Sequence, residues 1–368
     1  MPQASASASS HLLSRRRVAL AIPLLGSALW AATAKASTPV LRTQRPVVGT
    51  AVDIVVEGAH AQQLRSATEH AFARMRELEA LLSKYDPQSP VSRVSAAAGK
   101  HPVAVPPAVM AVLREAQRIH AVTDGAFDVT VGGLKAWHFG EGVQQMPQAE
   151  EVARQLSLVG AQDLVLDTNA GTAFLRRRGM ALDLGGIAKL PILEAGMRVL
   201  QEHGIDNAMV NGGGDVLVRG QMQGRAWRVG LRDPRTPSQL LGAVSLQGSA
   251  VVASSGDYER YFLHQGQRQH HVLNPRTGWP TTGVHGVSLI ASSVAQVNGL
   301  GASIMVMGAD AGKALAQKQG GLAVLIAQSN GQVWKSPAMA RQLGAALPRL
   351  YERARAHEAA EMPSGGGR

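Results

Sequence analysis

A mixed α+β fold is the class this sequence predicts, and three observations predict it. Strand-like stretches come several in succession, with helical stretches between the runs, whereas a parallel α/β sheet would alternate them one for one. Of the 368 residues, 45% are hydrophobic but only 4% aromatic, so an ample core must be built from Leu, Val, Ile, Ala and Met. Glycine clusters fall where a strand pattern turns or passes into a helix, as tight turns require. The length suits roughly two domains of about 150 residues, and no solenoid-type repeat is visible.

The chain opens on Arg15, Arg16 and Arg17, an apolar run from Val18 to about Ala32, and Ala34-Lys35-Ala36 before Ser37. This is the pattern of a secretory signal over residues 1–36, too short for a spanning helix. Ser14-Arg15-Arg16 resembles a twin-arginine export signal, which implies a periplasmic protein with no stable membrane span after processing. The formal charge of +11 includes four cations and no acid in this segment, so +7 remains without it. For an exported protein that balance favours an anionic, phosphorylated ligand over nucleic acid. The chain has no cysteine, which excludes disulfides, thiolate metal sites and a cysteine nucleophile.

The stretch "VVGTAVDIVVEG" alternates as a strand within residues 37–57. Apolar positions at helical spacing predict a helix from Ala61 that ends near Tyr85. "SPVSRVSAAAG" reads as a polar loop, and "PPAVMAVLREAQRIHAVTDG" as a helix between Pro106-Pro107 and Gly125. A β-hairpin turns at Asn169-Ala170-Gly171, a strand then enters the "DLGGIAK" turn, and a helix runs to about His203. Strands follow in "NAMVNGGGDVLVRG", "RAWRVGLRD", "LGAVSLQGSAVVASSG", "RYFLHQGQRQHHVLN" and "VHGVSLIASS". The stretch 295–320 is helical on both sides of Gly308, and "LAVLIAQ" is a last strand. Residues 346–368 are charged, then Pro-Ser-Gly-rich, and predict a loose tail after a domain over 37–345.

Several short stretches carry chemistry. "DLGGIAK" (183–189) places two glycines at a strand-to-helix turn, where free N–H groups favour phosphate. "NGGGD" (211–215) is a second glycine cluster, and neither fits the dinucleotide or P-loop pattern. "GAFDVTVGGL" (125–134) offers Phe127 and Asp128, readable as a core ring and a turn carboxylate. "SSGDYERYF" (254–262) sets hydroxyl, carboxylate and guanidinium groups in one turn. His270 and His271 adjoin an Asn-Pro-Arg-Thr-Gly turn. Zinc held by His264, His270, His271 and His285 is disfavoured, because successive strand residues point to opposite faces.

In order, "GAFDVTVGGL", "DLGGIAK", "NGGGDVLVRG", "VGLRDP", "SSGDYERYF", "HHVLNPRTGWP" and "SIMVMG" resemble the ApbE-type FAD:protein FMN transferases, roughly from Val47 to Ala327. The resemblance implies a two-lobed, T-fold-like arrangement of mixed sheets and helices with FAD in a cleft between lobes. It implies that FMN passes from FAD to a threonine hydroxyl of a target protein, with release of AMP and help from magnesium. The target would be an exported or membrane flavin-accepting protein. His271 matches the family's general base, and an imidazole suits proton removal near neutral pH. By the same matching Tyr85, Ala126, Phe127, Asp128, Gly185, Ser255, Glu259 and Val272 line the flavin nucleotide site.

The metal positions depart from the family. Its metal helix reads Ala-Asp-Ala-Leu-Ala-Thr, whose Asp and Thr bind magnesium together with a carbonyl that matches Ala188. In this chain the helix reads "VNGLGA" (297–302), with Asn298 for the Asp and Ala302 for the Thr. The Gly-Tyr that follows "IAK" in the family is Leu190-Pro191, Val48 replaces a Met, and Ser95 replaces an Asn. Asp183 and Lys189 are candidate substitutes for the lost charge. The alternative reading is a catalytically weak FAD-binding protein, acting as a periplasmic flavin carrier or accessory factor of a redox system.

Overall fold

The computed structural model describes residues 38–139, 145–320 and 322–344; the expected signal segment (1–36) and tail (346–368) lie outside them. Val48 and Gly49 both take positive φ, 50° and 69°, which turns the chain back on itself. The stretch read as one strand is therefore a hairpin of Val40–Val47 and Thr50–Glu57, with Val47 opposite Thr50. A β-branched residue is unfavourable in that turn, so Gly49 is its one local signal. The Val48 N–H donates to Glu79 Oε1 at 2.7 Å, which anchors it.

The hairpin starts an eight-stranded sheet that continues through Asn207–Gly212, Asp215–Arg219, Ala250–Gly256, Val284–Ala291, Ala323–Gln328 and Val333–Lys335. Every neighbouring pair is antiparallel. Alternation along the strands divides two cores between its faces. Val52, Ile54 and Val56 face one core with Leu289, Val324 and Ile326. Val55, Ile290 and Leu325 face the other.

The first face is covered by the helices Ala61–Leu82 and Lys189–Glu202. Leu64, Ala67, Ala71, Phe72, Met75, Leu78 and Leu82 form the buried stripe of the longer helix. Complete burial of Phe72 alone stabilises by roughly 2 kcal/mol. Gly196 lets the two helices approach, since a Cβ there would stand 2.9 Å from Met75. The second face packs on a three-stranded sheet of Trp227–Arg232, Leu240–Leu246 and Leu343–Gly344 and on Met339 of the helix Pro337–Gln342. The mixed α+β class holds.

A further three-stranded sheet, Val103–Ala104, Thr172–Leu175 and Leu164–Asp167, contains the expected hairpin. Beside it lie the helix Pro107–Val122 and a helix at Pro90–Ala96, where the sequence reads as a polar loop. Ser89 caps that short helix by accepting from the Ser92 N–H at 3.0 Å, and Pro90 begins it. Ser-Pro at a helix start is a physical signal that outweighs the polar composition. The helix Ala149–Leu156 is one that the sequence pattern did not suggest. A small aromatic core gathers Trp137, Phe139, Phe262 and Trp279; the Trp137 indole donates to Gly278 O at 2.8 Å and pins the Asn-Pro-Arg-Thr-Gly turn.

Two segments meet where the site forms. The Asp183 N–H donates to Val129 O at 2.7 Å, and Val131 bridges Ala181. Gly132 lies so close that a Cβ would stand 2.6 Å from the Leu182 carbonyl carbon. Gly132→Ala must therefore push two backbones apart. Urea unfolding is expected to show a loss of about 1–3 kcal/mol; an unchanged midpoint would mean that the two segments do not make this close approach.

Candidate functional site

The turn at 183–188 is fixed before any ligand arrives. The Ser95 hydroxyl accepts from the Leu182 N–H at 3.0 Å and donates to Val91 O at 3.0 Å. The Gly185 N–H donates to Asp183 Oδ1 at 2.8 Å, and the Ile187 and Ala188 N–H groups both donate to Leu184 O. A Cβ on Gly186 would stand 3.1 Å from the Phe127 ring, so glycine lets that ring lie close beneath the turn. The helix Lys189–Glu202 starts directly after it, the arrangement that favours an anion.

Charge gathers on the same side. Lys84 Nζ lies 2.6 Å from Asp183 Oδ2. Burial pushes the Asp183 carboxyl up, but the Lys84 ammonium, the Gly185 N–H and the Arg260 guanidinium outweigh it and hold the group below the usual carboxylate range. Arg260 reaches over Gly185, 4.0 Å from the place of a Cβ. Among the described residues Arg260 makes no ion pair. Lys189 is already neutralised: its Nζ lies 2.8 Å from Asp215 Oδ2, and buried Asp215 also accepts from the Ser254 N–H. Tyr85 is 76% exposed, with Lys84 Nζ 5.2 Å from its ring centroid.

The strands Tyr261–His264 and Gln267–His270 form a hairpin, and the adjacent histidines divide at its end: His270 closes the second strand and His271 lies just past it. His270 is buried; its Nε2–H donates to Thr281 O at 2.9 Å, and its Nδ1 accepts from the Val272 N–H. Both nitrogens are thus occupied in the neutral ring, and burial lowers its pKa. His271 is half-buried, and its Nδ1 lies 3.3 Å from Arg260 O. A carbonyl only accepts, so Nδ1 carries the proton and the Nε2 lone pair is free. Burial, then the Arg260 guanidinium, push this imidazole down to about 3.

The other expected residues fall into three groups. Ala126, Phe127 and Val272 are buried, and the Phe127 ring lies beneath the turn. Asp128 is buried too, but its carboxylate is spent inside the fold: Oδ1 accepts from the Thr130 N–H and hydroxyl, and Oδ2 from the Ala161 N–H. Ser255 packs on Gly301, where a Cβ would stand 2.5 Å from its Oγ. Ser255 also lines a depression with Arg232, Tyr258 and Ser288. Glu259 is exposed beside it, 3.8 Å from Arg232. Burial first, then the Glu259 carboxylate, raise the Tyr258 phenol to about 12.

Asn298 and Ala302 flank Gly299, whose φ of 75° starts the helix Leu300–Met307. Ala188, Asn298 and Ala302 do not form a magnesium donor set. Asn298 Nδ2–H donates to Ile187 O at 3.0 Å, so a proton rather than an oxygen faces the turn. The Ala188 carbonyl accepts from the Ile192 N–H at 3.2 Å, and Ala302 has no side-chain oxygen. Among the described residues no cluster of three or more His, Cys, Asp or Glu stands where an ion would bind. Sequence reasoning missed Lys84 and the anchoring role of Ser95, and it took the Arg260 guanidinium only as one group of a polar turn. Arg260 lay inside the "SSGDYERYF" turn, and only the hairpin that follows aims it at Gly185.

The ApbE family profile matches residues 48–326. A FAD:protein FMN transferase of Klebsiella pneumoniae is 35% identical over 224 residues, 60% of this chain and 68% of the relative. One from Haemophilus influenzae is 30% identical over 329 residues, 86% of this chain and 95% of the relative. Among solved structures, the ApbE protein of Thermotoga maritima superposes with a TM-score of 0.76 at 30% identity, covering 83% of this chain and all of that one. The flavin transferase ApbE of Vibrio cholerae does so with a TM-score of 0.72 at 27% identity, again over 83% of this chain and all of the other.

A depressed imidazole has a visible signature. The His271 Cε1–H resonance is expected to stay fixed from pH 8 to pH 5, a window in which an ordinary histidine takes up its proton (about 6.5). Because the unfolded ring binds a proton below about 6.5 and the folded one only near 3, His271 supports stability above that window and withdraws it as pH falls. A full titration centred near 6.5 would contradict a ring held neutral by burial and Arg260.

Proposed function

The chain belongs to the ApbE family, and on that premise we propose that it is an FAD:protein FMN transferase acting on a threonine of an exported or membrane protein. The observation that carries this reading is the convergence of three features: a glycine turn at a helix start, the unpaired Arg260, and a neutral His271 with a free Nε2. The turn and Arg260 suit the pyrophosphate of FAD. His271 suits the acceptor hydroxyl.

In the proposed step the threonine oxygen attacks the phosphorus of the FMN half. The new P–O bond forms as the pyrophosphate P–O bond breaks, AMP leaves with that electron pair, and His271 Nε2 takes the hydroxyl proton. Such a transfer needs positioning and charge neutralisation more than covalent help from the protein. A ring whose conjugate acid is weakly held is always in the base form, and positioning must supply the remaining driving force. Phe127 supports the floor of the turn, Ala126 and Val272 contribute buried packing, and Tyr85 and Gly185 offer surfaces to the nucleotide. Ser255 and Glu259 offer polar groups at the neighbouring depression, and Asp128 contributes through the backbone it fixes. The basic, apolar and small-residue order of residues 1–36 supports export through the twin-arginine route to the periplasm.

A second reading, a FAD carrier without transferase activity, is favoured by the lost carboxylate at Asn298. One experiment separates the two: purified protein, FAD and a candidate acceptor domain, analysed by mass for covalent FMN and by chromatography for AMP. Transfer is expected. His271→Ala should lower its rate by about 10²–10⁴-fold while FAD affinity stays within about twofold. FAD binding without AMP release or acceptor labelling would leave the carrier reading in its place.

A further inference from the structure

Resting on the FAD site of the preceding section, we propose that this chain uses the Asn298 amide in place of a divalent cation to join turn and helix, and Arg260 in place of that cation's charge on the pyrophosphate.

The polarity of the junction carries the first half. Asn298 is 3% exposed, and its Nδ2–H points at Ile187 O across 3.0 Å. A cation placed there would meet N–H dipoles of its own sign. Rotating the amide to offer Oδ1 would set two oxygens face to face and strip a buried carbonyl of its partner, which is costly. No neighbour makes up the loss. The Ser303 hydroxyl is spent on Gly299 O at 2.8 Å. Asp183 is paired with Lys84, Asp215 with Lys189, and Asp128 with Thr130 and the Ala161 N–H. Magnesium favours carboxylate oxygen and near-ideal octahedral geometry, and none of the three carboxylates is free to offer it.

The amide does mechanically what an ion would do. It fastens the 183–188 turn to the segment that opens the Leu300–Met307 helix, with Gly299 packed on Ile119 and Phe127. It brings no charge, so a doubly charged diphosphate needs another cation. Lys84 and Lys189 already face carboxylates. Arg260 makes no ion pair among the described residues, although the Asp183 carboxylate attracts it at longer range, and it stands over Gly185 with His271 beside it. A guanidinium binds phosphate oxygens through two parallel N–H bonds, geometry that an ammonium lacks.

The test uses the full-length processed protein. FAD affinity is read by flavin fluorescence in EDTA and in excess magnesium, and the apo protein is melted under both conditions. Wild type should bind FAD equally in both, within about twofold, and melt at one temperature. Arg260→Gln should weaken FAD binding about tenfold (1.4 kcal/mol) and leave riboflavin, which lacks phosphate, unaffected; Arg260→Lys should recover part of the loss. Asn298→Asp sets a carboxylate against a carbonyl, so its melting temperature should fall in EDTA and rise again with magnesium, a response wild type lacks. A tenfold gain in wild-type FAD affinity with magnesium, or a magnesium-dependent rise in the wild-type melting temperature, would overturn the proposal. FAD that binds under neither condition would instead overturn the site itself, and the melting curves would still decide what joins turn and helix.

Discussion

The hydrogen bond from Asn298 Nδ2–H to Ile187 O joins two segments of the site. On one side is the 183–188 turn, held by Ser95 and Val129. On the other is the Gly299 bend that starts a helix packed on the central sheet. Phe127 lies between them and touches both Gly186 and Gly299. A buried hydrogen bond of this kind contributes only about 1 kcal/mol net, but leaving its carbonyl unpaired costs up to about 3. The junction therefore behaves as a constraint more than as a source of stability. It fixes the distance between the turn that would face a phosphate and the sheet strands that carry Ser255.

Electrostatics around the junction are nearly closed. Asp183 and Lys84, Asp215 and Lys189, and Asp257 with Arg268 and His285 satisfy one another. Among the described residues, Arg260 makes no ion pair and the His271 Nε2 has no hydrogen-bond partner, and both groups lie beside the turn. The two are linked, since the Arg260 carbonyl orients the His271 ring while its guanidinium helps keep that ring neutral. His270 does the opposite job with the same side chain: both its nitrogens hold backbone, so it anchors the hairpin end against Thr281 and Val272. Two adjacent histidines thus serve as post and tool, one ending a strand and the other lying just past it.

Much of this was legible in the sequence, because its signals are local. The long helices announced themselves by apolar spacing, and the glycine turns by composition. The His270–His271 pair stood out beside its turn, but strand periodicity did not foresee that the strand ends at His270. What was not legible depends on contacts between distant segments. Val48 turns a hairpin against its own preference because Glu79 holds its N–H. Ser89 and Ser95 lie in a stretch that looks like loop, yet one caps a helix and the other anchors the site turn. Lys189 looked available for a phosphate and is committed to Asp215 instead. Asn298 read as a weakened metal ligand, whereas the geometry makes it a donor to the very loop an ion would have bridged.

The most direct measurement is a crystal structure of the processed protein with FAD, grown with manganese and collected at its absorption edge. Nucleotide density should lie along the 183–188 turn, with the pyrophosphate against Arg260 and within reach of His271 Nε2. No anomalous peak should stand between Asn298 and the turn. A manganese peak bonded to Asn298 and the Ala188 carbonyl, or FAD seated away from the turn, would contradict a site joined by an amide and charged by Arg260.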